Sequence, residues 1–249
     1  MFPTLEGMIA RRVLVNFRVD PALARRLVPE PLDVATHRGH AVVGVCLIRL
    51  EHLRPQGLPQ VLGLSSENMA HRIAIRYPTP NGMKDGVFIW RRDTDQRAVA
   101  LLGGRVFPGV HRHAQFDVRE NQERIVMDVR TQHREADVSL KAASTAAWNG
   151  SKVFQVFEEA CAFFRRGDCG FSCSRNGATL EGIQLHPLKW QMSPLRIEYA
   201  AASFYEDAKH FPKGSIEFDC ALLMRGIPHQ WSRLPANSQL VTATHGRAT

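Results

Sequence analysis

The chain has 249 residues, 44% of them hydrophobic, which is enough to bury a real core in a single domain. Lys and Arg total 32 against 24 Asp and Glu, a net charge of +8 that is dispersed rather than gathered in a tail. A nucleic-acid partner is not expected, because Ile89-Trp90-Arg91-Arg92 is the one stretch with a basic, aromatic character and a solvated strand edge explains it as well.

No apolar run approaches the roughly 20 residues of a membrane helix. The start, Met-Phe-Pro-Thr-Leu-Glu, lacks the basic-then-apolar pattern of a secretory leader, so a cytoplasmic location without membrane contact is expected. The five cysteines then read as reduced thiols. A Cys169/Cys173 metal pair needs His186 or another ligand nearby, and no metal or other cofactor is expected. Whether the chain forms a homo-oligomer is left open.

Taken in order, Arg11 to Val19 alternates Val13, Val15, Phe17 and Val19 against polar neighbours, the period of a strand. Asp20-Pro21 starts a short helix through Val28, with Asp as cap and Pro at the first helical position. His40 to Leu50 is a long apolar strand. Glu51 to Ser66 reads as a loop broken by Pro55, Gly57, Pro59 and Gly63, either a lid over a pocket or a surface connection.

Glu67 to Tyr77 alternates again, with Met69, Ile73 and Ile75 on one face and Arg72 and Arg76 on the other. Pro80-Asn81-Gly82 turns the chain into a second strand, Gly86 to Arg92. A short helix capped by Asp93 or Thr94 runs through Leu102 and ends at Gly103-Gly104. Gln115–Arg119 and Arg124–Arg130 form an antiparallel pair that Ala136–Ala142 continues. Lys152 to Arg166 is an amphipathic helix with Val153, Phe157, Ala160, Cys161 and Phe164 on one side. Strands follow at Cys169–Ser174, Thr179–His186, Leu195–Phe204 and Ile216–Met224, with Asn176-Gly177 as a hairpin turn. The tail after Leu234 is polar. Many short strands with few helices predict a mainly β, α+β domain, with closure into a barrel as one outcome.

The order Glu-Asn-Met (67–69), Phe-Ile-Trp (88–90), Gly-Arg (104–105) and Phe-Pro (107–108), then a His-bearing strand, resembles the DUF2071 (YqjF-like) family. Ile183-Gln-Leu-His-Pro-Leu-Lys-Trp is similar to that family's His-x-Pro-Trp segment, and the match runs from about Gly7 to Trp231. The family is related to acetoacetate decarboxylase. The resemblance therefore implies an antiparallel sheet closed into a conical β-barrel whose interior holds the site.

It also implies what is missing. Acetoacetate decarboxylase uses a Schiff-base lysine after a Gly-Phe-Pro-like sequence, and here Phe107-Pro108-Gly109-Val110 carries none. Of the six lysines only Lys189, beside Trp190, stands as a rival. By the same resemblance Glu67 occupies the place of a functional glutamate.

Read from the residues themselves, Glu67 is either an acid–base group raised by an apolar surround or a carboxylate paired with Arg72 or Arg105. His111 and His113 share a strand face, so they are proton-transfer candidates, a weak metal pair, or exposed histidines beside Arg112. Arg105 either meets a ligand carboxylate or makes a structural salt bridge; Trp90 and Phe107 either line such a pocket or fill the core, and His186 is a further lining candidate. Neither a Gly-x-Ser-x-Gly elbow nor a nucleotide loop is present. The leading expectation is a small carbonyl-containing or anionic ligand held inside the sheet, with lyase- or hydratase-type chemistry independent of a Schiff base. The alternatives are a non-catalytic binding or interaction module, and a metal-dependent enzyme using His111 and His113.

Overall fold

The structure, a computed structural model, describes residues 3–102, 109–148, 150–234 and 240–241. The elements run β1 (Leu5–Val19), α1 (Pro21–Arg25), β2 (Asp33–Val34), β3 (Thr36–His37), β4 (His40–Pro55), β5 (Leu64–Thr79) and β6 (Gly82–Thr94). Then come α2 (Arg97–Leu102), β7 (His111–Glu120), β8 (Arg124–Thr131), β9 (Val138–Ser144), α3 (Phe157–Arg166) and β10 (Cys169–Cys173). The chain ends with β11 (Thr179–Pro187), β12 (Ser193–Ala202), α4 (Ser203–Glu206), β13 (Ile216–Arg233) and β14 (Leu240–Val241).

The strands make one mainly antiparallel sheet in the order β14-β11-β10-β6-β7-β8-β9-β12-β13-β1-β4-β5-β2, with extra pairings of β11 to β13 and β6 to β5. Following those pairings, β13-β1-β4-β5-β6-β10-β11 leads back to β13, and so does β13-β1-β4-β5-β6-β7-β8-β9-β12. Five strands, β13-β1-β4-β5-β6, belong to both circuits, and apolar side chains cover both of their faces. Val13, Val45, Met69, Phe88 and Leu223 enter one core. Leu14, Cys46, Ala74, Leu222 and Met224 enter the other. This is why the stretch from Ala41 to Ile48 is almost wholly apolar instead of alternating: a strand buried on both sides has no polar face to keep.

Several boundaries differ from the sequence expectation, each for a local reason. Half of the stretch 51–66 is strand, because β4 continues to Pro55 and β5 begins at Leu64. A bulge between Leu50 and Leu53, with His52 at φ 54, carries the pairing past the breakers, and the turn shrinks to the residues around a 3-10 helix at Gln60–Leu62. β13 likewise runs on through Gly226 and Pro228; Gly226 takes φ 60, a left-handed backbone open to glycine.

α3 starts at Phe157 rather than Lys152. The amides of Lys152 and Val153 donate to Asp219 Oδ1 at 2.9 and 3.2 Å, which holds that segment in a turn. α1 begins as expected, with Asp20 accepting from the Ala22 amide at 2.7 Å. The helix stop expected at Gly103-Gly104 lies outside the described residues.

The first core carries a buried titratable group. His71 is wholly enclosed by Trp90, Phe204 and Tyr205. Burial, and then the charge of Arg91, hold its pKa down at about 3. Below the ordinary value of about 6.5 the unfolded chain binds a proton that the folded ring refuses. Stability from His71 is therefore complete above that value and falls as the pH drops toward about 3, by up to about 1.4 kcal/mol per pH unit. His71→Leu is expected to narrow the gap between urea midpoints measured at about pH 7 and about pH 5. An unchanged gap would show that the acid sensitivity arises elsewhere.

Candidate functional site

The second face of the shared strands encloses a cavity of about 370 Å³, within the usual range of small-molecule sites. Gly167 and Asp168, just after α3, join its lining, and the Arg72 guanidinium lies 4.9 Å from the Phe164 ring of α3. Its walls are largely aliphatic, with Ile48 and Leu50 from β4, Val87 and Ile89 from β6, and Leu185 and Trp231 opposite. Ala98 and Val99 of α2, Leu53 and Leu64 form its other end.

Three guanidinium groups face this space: Arg12 from β1, Arg72 from β5 and Arg92 from β6. They converge on one thiol. Arg12 Nε lies 3.4 Å from Cys46 Sγ, and Cys46 is within electrostatic reach of both Arg72 and Arg92. None of the three has an ion-pair carboxylate among the described residues. Arg12 touches only sulfur acceptors, Cys46 and, at 4.0 Å, Met224. Arg92 Nε donates to Ser172 Oγ at 3.2 Å while its Nη2 has no partner. Arg72 is 2% exposed, donates to Asn16 Oδ1, and leaves its Nε without a partner. Burial pulls the pKa of Arg72 and of Arg92 down to about 10, so both remain cations at neutral pH.

Local irregularities aim these groups. A bulge at Trp90 pairs His71 with Arg91 but Arg72 with Ile89. Past it the strand changes parity, and Arg92 rather than Arg91 joins Val87 and Ile89 on the cavity side. A second bulge, between Ile9 and Arg11 against β4, does the same for β1: Ile9 and Arg12 face the cavity side and Arg11 the opposite one.

His111 lines the cavity beside Arg92, its partner residue in the parallel β6–β7 pairing. Burial, and then Arg92, hold its pKa down at about 3, so it is a neutral imidazole there. His113, two residues on, pairs with Thr94 and is not part of the lining.

Glu67 lies on the opposite face. It accepts from Arg11 Nη2 at 2.5 Å and Arg49 Nη1 at 3.3 Å, in a buried chain that continues from Arg11 to Glu120 at 2.6 Å. Among the described residues its ion pairs are therefore with Arg11 and Arg49, in place of Arg72. Trp90 also turns to that face, stacking on Phe204 with ring centroids 4.0 Å apart. His186 is exposed and bonds Ser232 Oγ at 2.8 Å, while its neighbour Leu185 points inward. Arg105 and Phe107 lie outside the described residues.

Of the described candidates His111 alone reaches the cavity; the three arginines and Cys46 were not singled out from the sequence. All six lysines are described, none lines the cavity, and Lys189 is exposed. Among the described residues no group of three or more His, Cys, Asp or Glu side chains is placed to hold a metal ion. No helix among them is long and apolar enough to cross a membrane.

This architecture, a large mainly β sheet with few helices, is the acetoacetate decarboxylase-like fold. The chain is similar to acetoacetate decarboxylase from Legionella pneumophila subsp. pneumophila str. Philadelphia 1, with TM-score 0.58 and 14% identity over 96% of this chain and 87% of that one. It is similar to an acetoacetate decarboxylase-like enzyme from Sphingomonas wittichii RW1, with TM-score 0.56 and 14% identity over 94% of each chain. It also resembles the enduracididine biosynthesis enzyme MppR complexed with pyruvate, with TM-score 0.56 and 10% identity over 98% of this chain and 92% of that one. In sequence, residues 8–216 match the model of DUF2071, an uncharacterized conserved protein family, and the chain belongs to that family. No curated protein matches it.

The two kinds of buried arginine differ in what their loss does. Arg72 is a desolvated cation with no carboxylate, so Arg72→Met is expected to leave the thermal midpoint unchanged or raise it. Glu67→Gln takes one of two carboxylates from Arg11, which is 1% exposed and keeps Glu120, and is expected to cost on the order of 1–3 kcal/mol. Urea unfolding of the two variants checks this; equal destabilisation would make Arg72 a structural residue.

Proposed function

We propose that this protein binds a small organic anion, or a carbonyl compound bearing an acid group, inside the circuit β13-β1-β4-β5-β6-β10-β11, which acts as a conical barrel around the ligand. One observation carries the reading. Three guanidiniums face one largely apolar cavity and none of them forms an ion pair with a carboxylate among the described residues; Glu181, whose charge acts on Arg92, is itself paired with Arg233. Desolvating a cation without an opposite charge is unfavourable, and an anionic ligand supplies the missing one. Arg12, Arg72 and Arg92 are the anion contacts, and the guanidinium fork suits a carboxylate.

The chemistry that fits is proton transfer next to a stabilised oxyanion, of lyase or hydratase type. His111, held neutral, is able to take a proton from bound substrate, while the arginines hold developing negative charge on its oxygen. No amine is at hand for a Schiff base, since none of the six lysines lines the cavity. The placement of Glu67 in its own ion pairs supports a second reading, in which the cavity binds without turnover, because the family-like glutamate faces away from any ligand held there.

Hexanoate and hexanamide, compared by titration calorimetry, test the anion site. Each charge-assisted hydrogen bond is worth about 1.5–3 kcal/mol, so the acid is expected to bind at least about tenfold tighter than the amide, and Arg92→Met to narrow the difference. Equal binding of acid and amide to the wild type would end the proposal. Turnover of a keto-acid and lactone panel, compared for wild type and His111→Gln, separates enzyme from binder. Borohydride with acetoacetate is expected to leave no adduct, and an adduct on Lys189 would restore a lysine mechanism.

A further inference from the structure

We infer that the ligand is an amphiphile: a monocarboxylate on an apolar chain, bound head-first with its tail running out along the sheet. This rests on the anion reading above and adds which anion and which way round.

The cavity is graded from end to end. Along β5 its face presents Leu64, Ser66, Asn68, Ala70 and Arg72 in turn, eight residue steps or about 26 Å of wall at the usual strand rise. Leu64, at one end, is 58% exposed; Arg72, at the other, is 2% exposed and sits over Phe164 of α3. Arg12 and Arg92 line the same cavity, and Cys46, 3.4 Å from Arg12 Nε, lies within electrostatic reach of both Arg72 and Arg92, which makes this the cationic part of the cavity.

Outward from there the described lining is mostly aliphatic, with Ile48, Leu50 and Leu53 on β4, Ile89 on β6 and Val99 on α2, and its polar members Ser66, Asn68, Asp93 and Asp168 add no cation. Arg54, the one further arginine in the lining, is already paired with Glu6 at 2.7 Å. A second acid group at the outer end would therefore meet no unpaired cation among the described residues. A dicarboxylate is poorly served by this arrangement, and a chain of methylenes or an aryl tail is well served.

The entrance continues the gradient. The turn that joins the lining residues Pro55 and Leu64 carries Leu58, Val61 and Leu62, at 44, 87 and 62% exposure, and α2 adds Leu101 at 75%. Four large aliphatic side chains are thus exposed on the two segments that border the cavity. A tail longer than the cavity has apolar surface to lie on, which a short, fully polar acid would leave unused.

Butanoate, octanoate, dodecanoate and octanedioate, titrated into the full chain by calorimetry with octanamide as control, test the proposal. Each buried methylene is expected to tighten binding by up to about fourfold, so octanoate binds far tighter than butanoate. Octanedioate is expected to bind at least tenfold more weakly than octanoate. Arg72→Met is expected to weaken every acid by a similar factor and keep the chain-length gradient. Leu64→Asp, at an exposed position where folding is not at stake, is expected to flatten that gradient. Affinity that is flat with chain length, or octanedioate equal to octanoate, overturns the amphiphile while leaving the anion site standing. Failure of every acid to bind overturns both.

Discussion

Burial of β13-β1-β4-β5-β6 on both faces is the constraint on which the rest of the structure depends. A strand in that position has no solvent side, so every polar group it carries must find a partner in the protein or in a ligand. The pleat sends adjacent residues to opposite cores, and identical side chains next to each other acquire opposite electrostatic fates. Arg11 enters the face that also holds Glu67 and Glu120, and is paired with both. Arg12, one residue on, enters the other face and finds only sulfur. One core is thereby stabilised by compensated charge; the other holds charge that still lacks its complement.

Two bulges decide which arginines are which. Without the bulge at Ala10, Arg11 would follow Ile9 onto the cavity side; without that at Trp90, Arg91 would follow Ile89. Each displaced residue is instead matched with acids on the filled side, Arg91 with Asp93 at 2.9 Å and Glu135 at 2.8 Å. The irregularities therefore sort four arginines into two that stabilise the fold and two that do not, in keeping with the tendency of bulges to re-aim side chains beside functional sites.

The same irregularities limit what was legible beforehand. Period-two alternation, the Asp20-Pro21 helix start and the Asn176-Gly177 turn are local signals, and the corresponding strands, cap and hairpin stand where they were expected. The resemblance of residues 67–69, 88–90 and 183–190 pointed to the family to which the chain belongs. Alternation also grouped Arg72 opposite Met69 and Ile73, which is where it lies. Alternation alone, however, says nothing about which of two buried faces is hollow, and a bulge reverses its prediction downstream. Arg92 was unreadable for that reason. Glu67 drew attention through a family position, yet its parity with Met69 already placed it on the filled side. Arg12 and Cys46 lay inside apolar strands that read as core, because a cavity wall and a core wall have the same composition until one of them lacks atoms to pack against.

What those groups can do follows from their charge states. A lysine in such a cavity would lose its proton to desolvation and become a nucleophile. An arginine does not: even drawn down to about 10, Arg72 and Arg92 stay protonated near neutrality. His111 answers the same burial in the opposite sense, losing its charge and keeping a nitrogen lone pair. Desolvation thus gives this cavity fixed positive charge and a neutral base side by side. That combination is what the proposed oxyanion chemistry requires, with permanent cations standing where an amine-bearing cavity relies on a covalent bond.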